Sequence, residues 1–282
     1  MQNKGWTTVI TAKKKWFNLN LKEVFNYKDL IVLNVEREFK VKYKQTILGP
    51  LWFIIQPLLL TLVHTLIFGN LASLTPGVVP TFLFYMCANI LWLFFSSTLS
   101  STSSTFLSYA RIFGKVYFPR LTIPISTMIS ASIKFLIEFA VFMVAMLIYY
   151  LCGAEFSVNA VAFLTPVILL QLGLLAMGIG IIISAITIKY RDLHVLVSFG
   201  LQLWMFVSPV VYGMASIEDP VISTLIMCNP VSASLELMRY GWLGVGSTPW
   251  LYFAISWGVT ILLLLFGICI FNRAEKNFMD TI

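Results

Sequence analysis

The sequence predicts an all-α membrane protein with six transmembrane helices, a cytoplasmic amphipathic interface helix before the first, and short re-entrant helices before the last. Of its 282 residues, 59% are hydrophobic and only 11% are charged, and the mean hydropathy is +0.88. A soluble domain carries roughly a quarter charged residues, so most of the surface of this protein is expected to face lipid. The lengths of its apolar runs and the placement of its basic residues complete the prediction.

Six apolar runs are long enough to form the spans, because a helix of about 20 apolar residues crosses the hydrocarbon core. The third and fourth runs exceed this length, so we expect them to tilt or to project beyond the bilayer. The runs define a transmembrane domain over 48–271, flanked by tails at 1–47 and 272–282. The six runs are 48–71, 79–100, 122–151, 160–188, 195–213 and 250–271.

The distribution of Lys and Arg predicts the orientation. Seventeen of them lie before the first run, after the second, after the fourth or after the last, whereas the opposite side holds only Arg239. Basic connections stay in the cytoplasm, so both termini are expected there. The same distribution explains the net charge of +7 without a nucleic-acid partner.

The segment before the first run shows a helical period. Ile31, Val35, Phe39 and Tyr43 recur every four residues, which places them on one helix face. Charged residues occupy most of the remaining positions, as is typical of a helix in the membrane interface. Such a helix serves either as a surface anchor or as a lever that a cytoplasmic partner moves.

The connection at 213–249 is too apolar for a soluble loop and too interrupted by proline and glycine for a span. We interpret it as two short helices that dip into the outer leaflet. Broken backbone at that depth is tolerated only against protein or a water-filled cavity, so this region is expected near the outer mouth of a conduit. Its candidate residues are Asn229, Pro230, Glu236 and Arg239.

No catalytic or metal-binding pattern is present, and we expect the chain itself to hold no cofactor and no metal. The cysteines lie far apart, and neither His64 nor His194 has a ligand-forming neighbour at metal spacing. The phosphate-loop pattern GxxxxGK[ST] is absent, so ATP-driven transport would need a separate ATPase. Lys134 and Glu138 are four residues apart in the third run and are expected to neutralise each other, either as a structural pair or in a transport path.

Aromatic residues make up 15% of the chain, and many lie at the ends of the apolar runs. An interfacial aromatic belt accounts for most of them. Some instead suit the lining of a conduit, because aromatic rings pack on the apolar faces of sugars without holding them tightly. The candidates for this lining are Trp52, Phe53, Gln56, Trp204 and Tyr212.

Five segments carry a resemblance to a known family. They resemble, in order and across about residues 20–272, the permease subunits of ABC exporters for O-antigen, capsule and teichoic-acid polysaccharides. The second segment is more similar to O-antigen exporters than to drug-exporting relatives of the same fold. The segments are REFKVKYKQTILGPLWFIIQP (37–57), KVYFPR (115–120), YRDL (190–193), SPVVY (208–212) and NPVSASLELMRYGWLG (229–244).

The resemblance implies a homodimer of six-span subunits around a conduit in the bacterial inner membrane, paired with two copies of an ATPase that binds ATP and Mg. The substrate would be a glycan on a lipid-pyrophosphate carrier. Cationic side chains before the first span, Arg37, Lys42 and Lys44, could attract the pyrophosphate. The residues implied to contact the ATPase are Asp29, Arg37, Arg111, Lys115, Arg120, Tyr190, Arg191 and Asp192.

Other functions stay open at this point. The exported polymer could be teichoic acid or capsule, and the same fold could export a small amphiphile or drug through a lateral hydrophobic cleft. A membrane-embedded transferase would need acidic metal-binding clusters at the membrane face, and the acidic residues here are scattered among lysines. An ion channel would not need basic inner connections of this pattern.

Overall fold

The computed structural model describes residues 21–43, 48–71, 79–113, 118–187, 190 and 192–278, and all regular structure within these ranges is helical. Short 3₁₀ turns precede the first and fourth long helices, at Gly49–Leu51 and Ala160–Leu164. The first long helix widens into a π-helix at Thr65–Leu71. The α-helices are α1 (Leu21–Asn26), α2 (Lys28–Tyr43), α3 (Trp52–His64), α4 (Thr81–Ser103), α5 (Thr105–Phe113), α6 (Thr122–Leu151), α7 (Thr165–Thr187), α8 (Leu193–Val207), α9 (Pro220–Met227), α10 (Ser232–Leu243) and α11 (Trp250–Phe278).

Five helical stretches within the described residues are long and apolar enough to cross a membrane. They confirm five of the six predicted spans, and the third has the predicted limits. These stretches are Gly49–Gly69, Thr81–Ser103, Thr122–Leu151, Ala160–Thr187 and Trp250–Phe271.

The predicted span at 195–213 differs from the structure. Its helix, α8, has only 15 residues and ends at Val207, shorter than the roughly 20 residues of an ordinary crossing. Ser208 is extended, with φ −97° and ψ 148°, because the proline that follows disfavours helical backbone at the preceding residue. The chain then continues without helix to 213.

The helices α9 and α10 meet at 95° and together are apolar enough to count as one further span. This is the geometry of a broken span or of the predicted re-entrant loop. Asp219 caps α9 by accepting a hydrogen bond from the backbone of Val221. Gly244, in the left-handed conformation at φ 70°, ends α10.

The helix α4 lies at the centre of the bundle, with 78% of its spanning segment buried, against 22% for the span that contains α3. It contacts α3, α6, α7, α8 and α10, and α7 packs along α11. The α7–α11 approach is close enough that a Cβ added at Gly267 would lie 2.8 Å from the carbonyl oxygen of Gly178. Small residues allow such backbone contacts between membrane helices.

The helix α2 packs against α6 and the start of the first span. Ile31, Val35 and Phe39 of the predicted stripe are partly buried, whereas Val32 and Leu33 are exposed. The apolar residues of α2 therefore do not lie on one face alone.

Candidate functional site

A pocket of about 410 Å³, partly open to the exterior, lies where α2 meets α3, α4 and α6. We call it the α2 pocket. Four hydroxyl side chains, two aromatic rings, one carboxylate and one ammonium group line it. These residues are Glu38, Phe39, Phe53, Ser97, Ser101, Thr127, Ser130, Ala131 and Lys134.

The ammonium group of Lys134 connects α6 with the first span. Its Nζ lies 3.4 Å from Glu138 Oε1, which confirms the predicted ion pair, and it donates to Gln56 Oε1 at 3.5 Å. The same nitrogen is 5.8 Å from the ring centre of Phe53, within the range of a cation–π contact. Two predicted lining residues, Phe53 and Gln56, therefore lie against Lys134, and their position in a conduit stays a prediction.

Side chains of α2 reach three other helices. Glu38 Oε1 accepts a hydrogen bond from Thr127 Oγ1 at 3.4 Å, and the rings of Phe39 and Phe53 meet edge to face at 5.9 Å. The guanidinium of Arg37 lies 5.2 Å from the ring centre of Tyr109 on α5. Burial raises the pKa of Tyr109, and the Glu38 carboxylate adds a smaller increase, whereas the positive charge of Arg37 lowers it. The helix α2 is therefore joined to α3, α5 and α6.

The residues proposed to contact an ATPase are not equally accessible. Asp29, Arg37, Tyr190 and Asp192 are exposed, as a contact surface requires. Arg120 is buried, with its guanidinium 6.0 Å from the centre of the Phe106 ring. Little of its surface is therefore exposed for contact with an ATPase. Their roles stay predictions, as do those of the residues whose side chains lie outside the described part of the chain, namely Lys42, Lys44, Arg111, Lys115 and Arg191.

At the other end of the bundle, Arg239 on α10 is fully buried and has three acceptors. Its Nη1 donates to Glu236 Oε1 at 3.2 Å and to the carbonyl of Tyr212 at 3.1 Å. Its Nη2 donates to the carbonyl of Val210 at 2.8 Å. The guanidinium also stacks on Phe84 of α4 at 3.9 Å. Two of the predicted outer residues thus hold the segment after α8 against α10 and α4.

Asn229 lies at the bend between α9 and α10 and joins it to α8. Its Oδ1 accepts hydrogen bonds from Trp204 Nε1 at 3.1 Å and from the backbone of Val231 at 3.2 Å. Its Nδ2 donates to Ser208 Oγ at 2.8 Å. Trp204, half-buried, therefore has a structural partner within the chain.

A buried network around Gln171 on α7 was not predicted. Its Nε2 donates to Ser256 at 2.6 Å and Thr260 at 3.0 Å on α11, and its Oε1 accepts from Ser234 on α10 at 2.7 Å. Ser256 in turn donates to the carbonyl of Pro230 at 2.5 Å. The signal in the sequence was a lone glutamine inside an apolar run, since buried amides in membrane spans are expected to find partners.

His64 is buried between the first and second spans. Its Nδ1 lies 3.0 Å from Asn89 Oδ1, and Asn89 Nδ2 donates to Thr61 Oγ1 at 3.1 Å. Because the amide nitrogen of Asn89 donates to Thr61, the amide oxygen of Asn89 faces the histidine as the acceptor, and His64 Nδ1 is the donor. The arrangement is a helix-packing contact. No group of three or more His, Cys, Asp or Glu among the described residues could hold a metal ion.

Comparison with known proteins places this chain in a family. Residues 29–243 match the ABC-2 type transporter family. The chain is 27% identical over 253 residues to an O-antigen export system permease protein RfbA of Klebsiella pneumoniae, covering 89% of this chain and 94% of that protein. It is also 27% identical over 267 residues to the protein of the same name from Myxococcus xanthus, covering 93% and 98%. With several apolar helices and a family match over most of its length, this multi-pass membrane protein belongs to the ABC-2 type transporter family and is a homologue of O-antigen export permeases.

Proposed function

We propose that this protein is the transmembrane permease subunit of an ATP-driven exporter that moves lipid-linked polysaccharide across the bacterial inner membrane. The proposed polysaccharide is O-antigen. The observation that carries the proposal is the similarity to two permeases named for O-antigen export along nearly the whole chain. The hydroxyl groups and aromatic rings of the α2 pocket add chemical support, because sugars offer hydroxyls and apolar ring faces.

The proposed complex contains two copies of this chain and two copies of a separate ATPase that binds ATP and Mg. The chain has no phosphate-loop sequence of its own, so hydrolysis needs a partner. Exposed Asp29, Arg37, Tyr190 and Asp192 form the proposed contact region. Binding of ATP would shift the population from a closed to an open conduit, with α2 transmitting the movement to α3 and α6.

We propose that both termini are cytoplasmic. Basic residues concentrate in the tails and in the connections that share a side with them. The α2 pocket would then open on the cytoplasmic side, where a lipid-linked glycan is presented. Export of teichoic acid or capsule would use the same arrangement. Export of a small amphiphile would use a lateral apolar cleft, and the polar lining of the α2 pocket favours a glycan.

Deletion of the gene in its native host tests the function. We expect surface polysaccharide to disappear and lipid-linked glycan to accumulate inside, with both reversed by the intact chain. Unchanged surface polysaccharide would refute the exporter assignment.

Copurification in mild detergent tests the partner. We expect a protein with a phosphate loop to accompany the chain and to be lost with Asp192→Lys. Glu218→Lys is the matched control, because Glu218 is also exposed but precedes α9 on the opposite side of the predicted topology. Equal copurification with both variants would remove Asp192 from the contact.

A further inference from the structure

We propose that the α2 pocket is a binding subsite for one sugar unit of the exported glycan. The inference rests on the proposed function and specifies where the chain recognises the polymer.

An unsatisfied hydroxyl is the first evidence that the pocket takes a polar ligand. Ser130 is 6% exposed and lines the pocket, yet its Oγ has no hydrogen-bond partner among the described residues. Most buried side-chain hydroxyls have such a partner. By contrast, Ser132, two residues further along α6, donates to the carbonyl of Met128 at 2.8 Å. A ligand hydroxyl in the pocket would supply the partner that Ser130 lacks among the described residues.

The surrounding groups match a sugar. Ser97 and Ser101, four residues apart on α4, present their side chains to the same pocket as Thr127 and Ser130 on α6. Hydroxyl groups both donate and accept hydrogen bonds, as the hydroxyls of a sugar require. Phe53 supplies an apolar ring for the carbon face of the sugar.

The charges of the pocket argue against a phosphate group as the ligand. The ammonium of Lys134 is neutralised by Glu138 at 3.4 Å. The other charged residue that lines the pocket is Glu38, whose carboxylate repels phosphate and accepts hydrogen bonds from hydroxyls. A neutral polyhydroxyl compound therefore fits better than the phosphate of a lipid or of the pyrophosphate carrier.

Protection of an introduced thiol tests the subsite. We would introduce Ser130→Cys into the full chain and prepare inverted membrane vesicles without nucleotide from two strains. One strain makes the lipid-linked glycan, and the other lacks its first glycosyltransferase. A small charged methanethiosulfonate modifies the thiol, and mass spectrometry of the peptide reads its rate. Ser132→Cys, on the same helix and outside the pocket lining, is the control.

With the glycan present, we expect the thiol at position 130 to react about ten-fold more slowly, since at nine-tenths occupancy only the unoccupied tenth reacts. The thiol at position 132 should react equally in both strains. Equal rates at position 130 would overturn the subsite. Slowing at both positions would indicate general closure and would also overturn it. Slow reaction at position 130 in both strains, relieved by removing lipid, would identify a phospholipid as the occupant instead.

A second variant tests the subsite even if Ser130→Cys does not fold. Ser97→Cys places the thiol on α4 at the opposite wall, and the same protection is expected there. The gene deletion separates the two proposals. If deletion abolishes surface glycan while both thiols react equally in the two strains, the subsite fails and the exporter function stands. If deletion leaves surface glycan unchanged, the exporter function fails and the subsite fails with it.

Discussion

The buried pair of Glu236 and Arg239 offers the sharpest test of how the α10 end of the bundle is held together. Glu236→Gln keeps the size of the side chain and an acceptor oxygen, but it removes the negative charge that faces Arg239 Nη1 at 3.2 Å. Removing one partner of a buried ion pair costs about 3–5 kcal/mol. Arg239→Met should cost more, because it also leaves the carbonyls of Val210 and Tyr212 without their donors.

The expected loss is large enough to measure as a melting temperature. For a protein of this size, 1 kcal/mol corresponds to roughly 2–4 °C, so a loss of about 3–5 kcal/mol should make Glu236→Gln melt about 6–20 °C below the wild type. Cys152 and Cys228 are exposed and Cys269 is partly exposed, so all three are first replaced by Ser. A thiol-reactive fluorescent dye in detergent then follows unfolding through Cys87, which is fully buried on α4. The control is Glu218→Gln, the same substitution at an exposed position, which should shift stability by no more than about 0.5 kcal/mol.

The double substitution Glu236→Gln with Arg239→Met completes the cycle. It removes both charges, so it should be less destabilising than the sum of the single effects. A melting temperature for Glu236→Gln equal to that of Glu218→Gln would refute the reasoning. It would mean that water or detergent solvates Arg239 and that the pair does not fix the segment after α8.

The remaining predictions concern the bundle itself. Gly267→Ala places a methyl group 2.8 Å from the Gly178 carbonyl and should lower the melting temperature, whereas Gly258→Ala on the same helix, with nothing within 4 Å, should leave it unchanged or raise it. Lys134→Met leaves the Glu138 carboxylate buried without its ion-pair partner and should destabilise the protein by about 3 kcal/mol or more. Adding Glu138→Gln should restore most of the lost stability, and a double variant no more stable than Lys134→Met would contradict the pairing. Gln171→Leu removes three side-chain hydrogen bonds that join α7 to α10 and α11 and should lower the melting temperature by a few degrees, since such bonds average about 0.6 kcal/mol in membrane proteins.

The spans could be predicted because their signal is local. The run at 122–151 is a helix with the same limits, since both its apolar length and the Gly153 that follows are visible in the sequence. The exception, α8, also had a local signal. Pro209 ends its helical backbone at Ser208. The residues after the proline are also apolar, so the span predicted from hydropathy continued past it to 213.

The ion pairs were only partly predictable. Lys134 and Glu138 are one helical turn apart, so their pairing follows from spacing. Glu236 and Arg239 have i, i+3 spacing that carries the same signal, yet the backbone acceptors of Arg239 lie 27 and 29 residues earlier. Similarly, Gln171 bonds to residues more than 60 positions away. Such partners depend on which helices pack together, which no local pattern specifies.

The two ends of the bundle hold their charges differently, and the difference bears on where movement can occur. At the α10 end, the bonds of Arg239 measure 2.8–3.2 Å and its side chain has no exposed surface. At the α2 end, Lys134 has contacts of 3.4 and 3.5 Å, at the long limit of hydrogen bonding, and its side chain is 19% exposed beside a pocket. Groups that are partly solvated lose little when their contacts change, whereas a buried cation loses several kcal/mol. If a partner ATPase moves α2 as proposed, the contact between Lys134 and Gln56 would therefore change at lower cost than the bonds of Arg239, and the α10 end would stay fixed while the spans move.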